Sequence, residues 1–140
     1  MNVKICTSFE EMASNFSVIK QLYDATFTME LYSLLLPDMI SKGYTQVTIY
    51  EEDKLIAVSG YWLSTKLYTG KYLEIDNFIV DSHYQSKGIG KLLIHEIEKI
   101  ALKNKAKAIV LDAFTTNFGA HKFYFNQGYV PKGFHFVKFI

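Results

Sequence analysis

Two groups of residues in this 140-residue chain have types and spacings that suit chemistry. The first is the glycine loop, Gln85-Ser86-Lys87-Gly88-Ile89-Gly90, which lies between an apolar run and a strongly patterned helix. The amide groups in the first turn of a helix have no partner within the helix and carry about half a positive charge. Glycine lets a ligand approach the backbone closely. The loop therefore predicts a phosphate-binding site.

The second group is a pair of carboxylates, Glu74 and Asp76, in a strand predicted over residues 71–80. Because the side chains of a strand alternate, both should lie on one face of it, together with Phe78 and Val80. Carboxylates inside a central strand are unusual unless they meet water, a cation or a substrate. The pair therefore suits a general base, an anchor for a cationic amine, or a solvent-facing edge.

Two common nucleotide motifs are absent from the glycine loop. A dinucleotide-binding fingerprint needs a glycine where Leu93 stands, and a P-loop needs Ser or Thr where Leu92 stands. Magnesium-dependent nucleotide chemistry is therefore not predicted. The four histidines, at positions 83, 95, 121 and 135, show none of the short metal-ligand spacings, so no metal site is predicted.

The patterns along the chain predict a mixed α/β sheet with helices on both faces, formed by one domain over residues 1–140. The predicted helices cover residues 9–23 and 29–41, a stretch from the glycines to 103, and 117–127. The predicted strands are 3–6, 46–50, 55–63, 71–80, 108–114 and 134–140. Strands 71–80 and 108–114 flank a helix and should be parallel, with a right-handed crossover.

Composition limits the partners and the location that the sequence predicts. The net charge is +1, which argues against nucleic acid as the main partner. Cys6 is the only cysteine, so no disulfide can form within the chain and a reducing cytoplasm is expected. No apolar run approaches the ~20 residues of a membrane span. The apolar terminal strand 134–140 suggests a homodimer through its edge.

Two segments carry a family resemblance. Ile79 to Leu93 resembles the central motif of the GNAT superfamily of N-acetyltransferases, Gln/Arg-x-x-Gly-x-Gly/Ala, with Gln85, Gly88 and Gly90 at the defining positions. Asn117 to Tyr129 resembles the family's Asn-x-x-Ala-x-x-Phe-Tyr-x-x-x-Gly-Phe/Tyr stretch. The order of elements matches as well, so the resemblance covers nearly the whole chain.

The resemblance implies the GNAT fold, in which strands 71–80 and 108–114 splay apart, and acetyl-CoA as co-substrate. Backbone amides of the loop would surround the pyrophosphate, and the end of strand 71–80 would pair with the pantetheine arm. Asn117 would bind that arm. The implied cofactor-binding residues are Phe78, Ile79, Val80, Gln85, Ser86, Lys87, Gly88, Ile89, Gly90, Lys91, Asn117, Ala120 and Tyr124.

The resemblance also implies catalytic roles. Tyr124 would be the general acid that protonates the leaving thiolate, because a phenol is protonated at neutral pH. Glu74 would be the general base, and Asp76 is an alternative base or a substrate anchor. A chain of water molecules could also remove the proton, and then neither carboxylate would be needed as a base. Tyr32 and Trp62 are candidates to line the acceptor pocket, with packing in the core as the alternative role for each.

The implied reaction moves an acetyl group from acetyl-CoA to a primary amine by direct attack in a ternary complex. The acceptor is left open between a small-molecule amine and an amine of a protein or peptide. The alternative function is a non-catalytic acyl-CoA-binding or regulatory domain on the same fold.

Overall fold

A computed structural model describes all 140 residues of the chain. Five strands, β1 to β5, lie at Asn2–Cys6, Thr45–Glu51, Lys54–Lys66, Gly70–Val80 and Ala108–Leu111. Five α-helices, α1 to α5, lie at Phe9–Ala13, Phe16–Ile19, Met29–Ser41, Ile89–Lys103 and Phe118–Asn126. Short 3-10 turns occupy Lys20–Leu22 and Ser82–Tyr84. The chain divides into two compact units, Met1–Val110 and Leu111–Ile140.

The strands form one sheet in the order β1-β2-β3-β4-β5. Neighbours from β1 to β4 are antiparallel. Short turns join β2 to β3 and β3 to β4, whereas the segment with α1 to α3 connects β1 to β2. The Lys107 amide donates to the Lys71 carbonyl at 2.7 Å, next to the first residues of β4 and β5. Both strands therefore begin at the same end of the sheet and run parallel. The predicted mixed sheet is confirmed, although β5 ends at Leu111 and not at residue 114.

A bulge interrupts β4 at Asn77, whose φ is +59°. Gly60 pairs with Asp76 on one side of the bulge, and Ala57 pairs with Val80 on the other. Opposed residues of an antiparallel pair share a face, while residues three apart in β3 lie on opposite faces. Val80 therefore faces away from Asp76. The prediction that both share a face is wrong, because the extra residue of a bulge reverses the alternation.

Helices cover both faces of the sheet. The face that carries Val58 and Trp62 packs against a buried cluster from α1, α2 and α3 that contains Met12, Ile19, Tyr32 and Leu36. α4 packs against β2, β3 and β4 and therefore covers the opposite face. Its buried stripe consists of Ile89, Leu93, Ile94, Ile97 and Ala101. Residues spaced by three and four produce this stripe, as the apolar pattern predicts.

The predicted helix over residues 9–23 is wrong in its continuity. α1 begins with the capping box that Ser8 and Glu11 form, as such a pair favours. The helix then breaks at Asn15, which is fully buried and donates to Gln46 Oε1 at 2.8 Å. A buried amide must find a partner, and this one lies on β2. The hydrogen bond fixes the break between α1 and α2.

The unit Leu111–Ile140 contains α5 and an irregular terminal segment. The Asn117 side chain caps α5, and the Tyr129 amide closes its other end on the Tyr124 carbonyl at 3.0 Å. Residues 130–140 form neither helix nor strand, so the predicted strand 134–140 is wrong. Its aromatic residues favour extended backbone, but a strand also needs a hydrogen-bonded neighbour. No helix of the chain has the length and apolar character needed to cross a membrane.

Candidate active site

The glycine loop has the backbone conformation of an anion cradle. Ser86 and Gly88 have φ angles of +61° and +79°, and Gly88 immediately precedes the first turn of α4. A Cβ built on Gly88 would meet no atom within 4 Å, and residues 85–88 are exposed. The first-turn amides of this 15-residue helix lack acceptors within it. The loop therefore offers backbone donors to an anion, as its sequence predicts.

Asp81 anchors the start of the loop. Its Oδ1 accepts the His83 amide at 2.9 Å, and its Oδ2 accepts Gln21 Nε2 at 3.1 Å. The Ser82 amide donates in turn to Gln21 Oε1 at 3.0 Å. These bonds tie the loop to the 3-10 turn that follows α2. The hydrogen bond from the His83 amide is the main cause that lowers the pKa of the nearly buried Asp81 carboxyl.

Replacing Asp81 by Ala is expected to lower the free energy of unfolding by about 1–3 kcal/mol at pH 7, because its donors lose their acceptor. A depressed folded-state pKa means that the carboxylate stabilises the fold above its unfolded pKa of about 4. This contribution is lost as the pH falls through the folded value. Urea unfolding should therefore show a smaller difference between Asp81→Ala and wild type at about pH 3 than at pH 7.

The control for this measurement is Asp53→Ala, because Asp53 is exposed in the turn between β2 and β3. It should leave the free energy of unfolding within about 0.5 kcal/mol of wild type. Equal effects of the two substitutions at both pH values would contradict the anchoring role of Asp81.

Two lysine ammonium groups lie beside the loop. Lys54 Nζ and Lys87 Nζ are 4.8 Å and 5.0 Å from the centroid of the Tyr84 ring, within the range of cation–π attraction. Gln85 is uncharged, and its Nε2 donates to the Val80 carbonyl at 3.2 Å. All 15 basic residues of the chain are lysines. The positive charge at the loop therefore comes from lysines and from the N-terminus of α4.

Glu74 and Asp76 share one face of β4, as predicted, but their surroundings differ. Trp62 pairs with Glu74 across the two strands, and its Nε1 donates to Asp76 Oδ2 at 3.0 Å. Asp76 lines a cleft, whereas Glu74 is not among the residues that line it. No group of three or more His, Cys, Asp or Glu side chains is arranged to hold a metal ion.

The cleft has a volume of about 220 Å³ and opens on the face covered by α1 to α3. Its walls come from segments far apart in the chain. They are the end of α2 with the residues that follow it, helix α3, and Tyr44 immediately before β2. Apolar and aromatic side chains dominate these walls, and β4 supplies the polar residues. Among the lining residues are Tyr23, Phe27, Tyr32, Tyr44, Asp76 and Asn77.

A chain of hydrogen bonds holds three of the cleft's tyrosines in place. Gln46 Nε2 donates to Tyr32 Oη at 2.9 Å and to Tyr44 Oη at 3.3 Å. Tyr44 donates to Asn77 Oδ1 at 2.8 Å, and Asn77 Nδ2 donates to Tyr23 Oη at 2.6 Å. Each tyrosine hydroxyl in this network accepts one hydrogen bond, so its own hydrogen must point away from that donor and towards another acceptor. At Tyr23, the last member, that hydrogen points away from Asn77.

The hydroxyls of these tyrosines hold their protons firmly. Burial raises the pKa of Tyr32 to about 12 and that of Tyr44 well above its usual range. Burial raises the pKa of Tyr23 as well, and the charge of Asp76 adds to this effect. The cleft is therefore lined by neutral phenols around one carboxylate.

The second unit carries the remaining predicted residues. Asn117 Oδ1 accepts the Ala120 amide at 3.1 Å, which leaves Nδ2 as the donor for a ligand. The Tyr124 ring is 5.7 Å from that of Tyr129, at an interplanar angle of 70°. Burial, and secondarily Tyr129, raises the pKa of Tyr124 above its usual range. Its phenol is therefore protonated at neutral pH.

The model of the Acetyltransferase (GNAT) family matches residues 11–129, which include both units' motifs. The chain belongs to this family. It is 25% identical over 140 residues to the uncharacterized N-acetyltransferase YhdJ of Bacillus subtilis, with 99% of this chain and 98% of that protein covered. Over 95 residues it is 32% identical to a probable spermine N(1)-acetyltransferase of Bacillus subtilis subsp. natto, which covers 64% of this chain and 62% of that protein.

The fold of this GNAT acetyltransferase is similar to that of a solved relative. Its TM-score is 0.82 against the ribosomal-protein-alanine N-acetyltransferase of Brucella melitensis biovar Abortus, at 17% identity and with 100% of both chains covered. The predicted family, fold and N-acetyltransferase class are confirmed.

In this GNAT acetyltransferase, two of the three predicted substrate residues, Tyr32 and Asp76, lie in the wall of one cleft. The third, Trp62, does not line the cleft but donates its indole N–H to Asp76. Sequence reasoning missed Tyr23 and Tyr44, for which the only signal was a high aromatic content. Asn77 was also missed, because no local sequence pattern predicts a bulge. Lys54 was missed because the hairpin that it belongs to places it beside Tyr84 only in the folded chain.

Proposed function

We propose that this GNAT acetyltransferase takes its acetyl group from acetyl-CoA and transfers it to a primary amine by direct attack in a ternary complex. The observation that carries the proposal is the glycine loop, with open space before Gly88, free first-turn amides in α4, and two lysines around Tyr84. Backbone donors combined with cations suit a diphosphate.

The residues proposed to hold the co-substrate follow the family resemblance. In the first unit they are the loop from Gln85 to Lys91 and the end of β4, Phe78 to Val80, and we add Lys54 from its position beside Tyr84. In the second unit they are Asn117, Ala120 and Tyr124. The Asn117 side chain has a donor to offer beyond its capping bond.

The chain's own residues supply proton transfers and binding. Acetyl-CoA supplies an acetyl group that is activated as a thioester. Tyr124, which is protonated at neutral pH, gives its proton to the leaving sulfur. Glu74 removes a proton from the amine nitrogen, with Asp76 or a water chain as the alternative route. Tyr32 and Asp76 bind the acceptor in the cleft, and Trp62 orients Asp76.

Direct attack is preferred to a covalent route through the enzyme. Cys6 is the only cysteine. It is only 4% exposed, and its sulfur contacts the hydroxyl of Thr48. An acetylated thiol intermediate needs a thiolate that the co-substrate can reach. The chain therefore offers no suitable nucleophile of that kind.

Thiol release from acetyl-CoA over a panel of primary amines tests the proposal. We expect amine-dependent release, with kcat about 10²-fold lower in Glu74→Gln, because general bases contribute factors of this size. Glu51→Gln is the control, since Glu51 is exposed at the end of β2. If coenzyme A binds but no amine promotes thiol release, the non-catalytic acyl-CoA-binding or regulatory domain is the better description.

Other features of the proposed function follow from the sequence. We propose one domain over residues 1–140, since the family match runs through both compact units. The proposed location is the cytoplasm, and the acceptor is a small-molecule amine or a protein or peptide amine. The homodimer stays a prediction without structural support, because the terminal strand on which it depended does not form.

A further inference from the structure

The lining of the cleft identifies a class of acceptor. We propose that it binds a primary monoamine with an aromatic or apolar body, whose ammonium group lies at Asp76 and whose body packs against Tyr23, Phe27 and Tyr32. The assignment of this amine as the acetyl acceptor rests on the proposed function. Its binding does not, and can be measured in the absence of acetyl-CoA.

The charge of the cleft matches one cationic group. Asp76 is the only carboxylate among the lining residues, and no lysine or histidine is among them. None of the chain's ion pairs involves Asp76, so its negative charge has no cationic partner. A polyamine would bring further ammonium groups into apolar walls that offer no carboxylate, and such unpaired charges are costly. The cleft therefore favours a monocation over spermine or an aminoglycoside.

The size and lining of the cleft match a single ring on a short chain. The Tyr23 and Phe27 ring centroids are 4.5 Å apart, and those of Phe27 and Tyr32 are 5.8 Å apart. These rings form a continuous aromatic wall. The volume of about 220 Å³ exceeds the ~150 Å³ of an apolar cavity that holds benzene. Aromatic faces also attract the ammonium group itself.

Two features fix the polar end of the cleft. Gly60 lies opposite Asp76 in β3, and a Cβ there would overlap the Tyr44 ring, so the glycine allows Tyr44 to pack against the strand. Tyr44 then donates a hydrogen bond to the Asn77 side chain, and Asn77 donates one to the hydroxyl of Tyr23. The carboxylate and the hydroxyl of Tyr23 are thus positioned by neighbours before any amine binds, which lowers the entropic cost of binding.

Trp62 provides a direct readout of occupancy. It is the only tryptophan in the chain, and its indole N–H donates to Asp76 Oδ2 at 3.0 Å. An ammonium group at Asp76 changes the electrostatic environment of this indole. Tryptophan fluorescence therefore reports binding without any turnover.

The experiment titrates the full chain with 2-phenylethylamine, spermine and 2-phenylethanol, first without acetyl-CoA. We expect a saturable change in Trp62 fluorescence with 2-phenylethylamine and affinities at least about tenfold weaker for spermine and for the uncharged alcohol. Asp76→Asn should weaken 2-phenylethylamine about tenfold to a hundredfold, since asparagine keeps an acceptor for Trp62 but loses the charge. Asp53→Asn should leave its affinity unchanged.

Turnover with acetyl-CoA then separates this inference from the proposed function. A kcat/KM that is highest for 2-phenylethylamine and lowered in Asp76→Asn mainly through KM supports both. Amine binding that depends on Asp76 without thiol release supports the cleft assignment and counts against the proposed function. Acetylation of spermine in preference to 2-phenylethylamine, with no effect of Asp76→Asn on KM, overturns the inference and leaves the proposed function standing.

Discussion

Replacing Tyr124 by Phe is expected to lower kcat by about 10²-fold or more, with the Kd for acetyl-CoA within about twofold of wild type. The substitution removes only the hydroxyl. The ring keeps its packing against Tyr129, and the Tyr124 carbonyl still accepts the Tyr129 amide. A loss confined to kcat is the signature of a group that acts in the transition state.

Tyr129→Phe is the matched control, because it removes a neighbouring phenol from the same unit. It should change kcat by less than about threefold. Since the pKa of Tyr124 is raised, wild-type kcat should not fall between about pH 8 and pH 10 through ionisation of this residue. Unchanged kcat in Tyr124→Phe would remove Tyr124 from the mechanism.

Replacing Gly88 by Ala is expected to raise the Kd for acetyl-CoA by about tenfold or more. A φ of +79° costs a non-glycine residue about 1–2 kcal/mol. The added Cβ would also occupy the open space in front of the loop, where no atom lies within 4 Å. Calorimetry with coenzyme A alone measures this effect independently of turnover.

Gly43→Ala separates strain from loss of the site. Gly43 has a φ of +97°, open space where its Cβ would lie, and a position at the end of α3, away from the loop. Both substitutions should therefore lower stability by a similar amount, while only Gly88→Ala weakens coenzyme A binding. Equal Kd values for the two variants would mean that the loop does not hold the pyrophosphate.

The single strand β4 links the two halves of the first unit's site. Asp76 lies in the acceptor cleft, and Val80, four residues later, leads to the Asp81 turn and the glycine loop. At about 3.3 Å per residue, the two positions are separated by roughly 13 Å. The bulge at Asn77 lies between them and reverses the alternation of side chains, so Val80 faces away from Asp76. A rigid strand is a suitable support for two reactants that must meet.

Local sequence patterns were sufficient to predict the glycine loop and the helix that follows it. Glycines before an apolar stripe predicted the start of α4, and Ser8 with Glu11 predicted a helix start that the structure contains. Both features depend on residues within one or two turns of each other. The same kind of signal located Glu74 and Asp76 on one face of a strand.

Features that depend on distant residues could not be read in this way. The break after α1 depends on a hydrogen bond from Asn15 to Gln46, which lies 31 positions away. The cleft joins Tyr23, Tyr44 and Asn77, whose contacts exist only in the folded chain. The apolar residues of 134–140 suggested a strand, but strand formation depends on a neighbour that the pattern does not specify.

The transfer reaction can be tested by following the acetyl group itself. The protein is incubated with acetyl-CoA that carries an isotopic label in its acetyl group, together with 2-phenylethylamine, and both amine and protein are analysed by mass spectrometry. We expect one labelled acetyl group on the amine nitrogen for each thiol released, and no label on the protein. Label retained on the protein, thiol release without labelled amine, or no labelled product from any primary amine in the panel would contradict direct transfer to the amine.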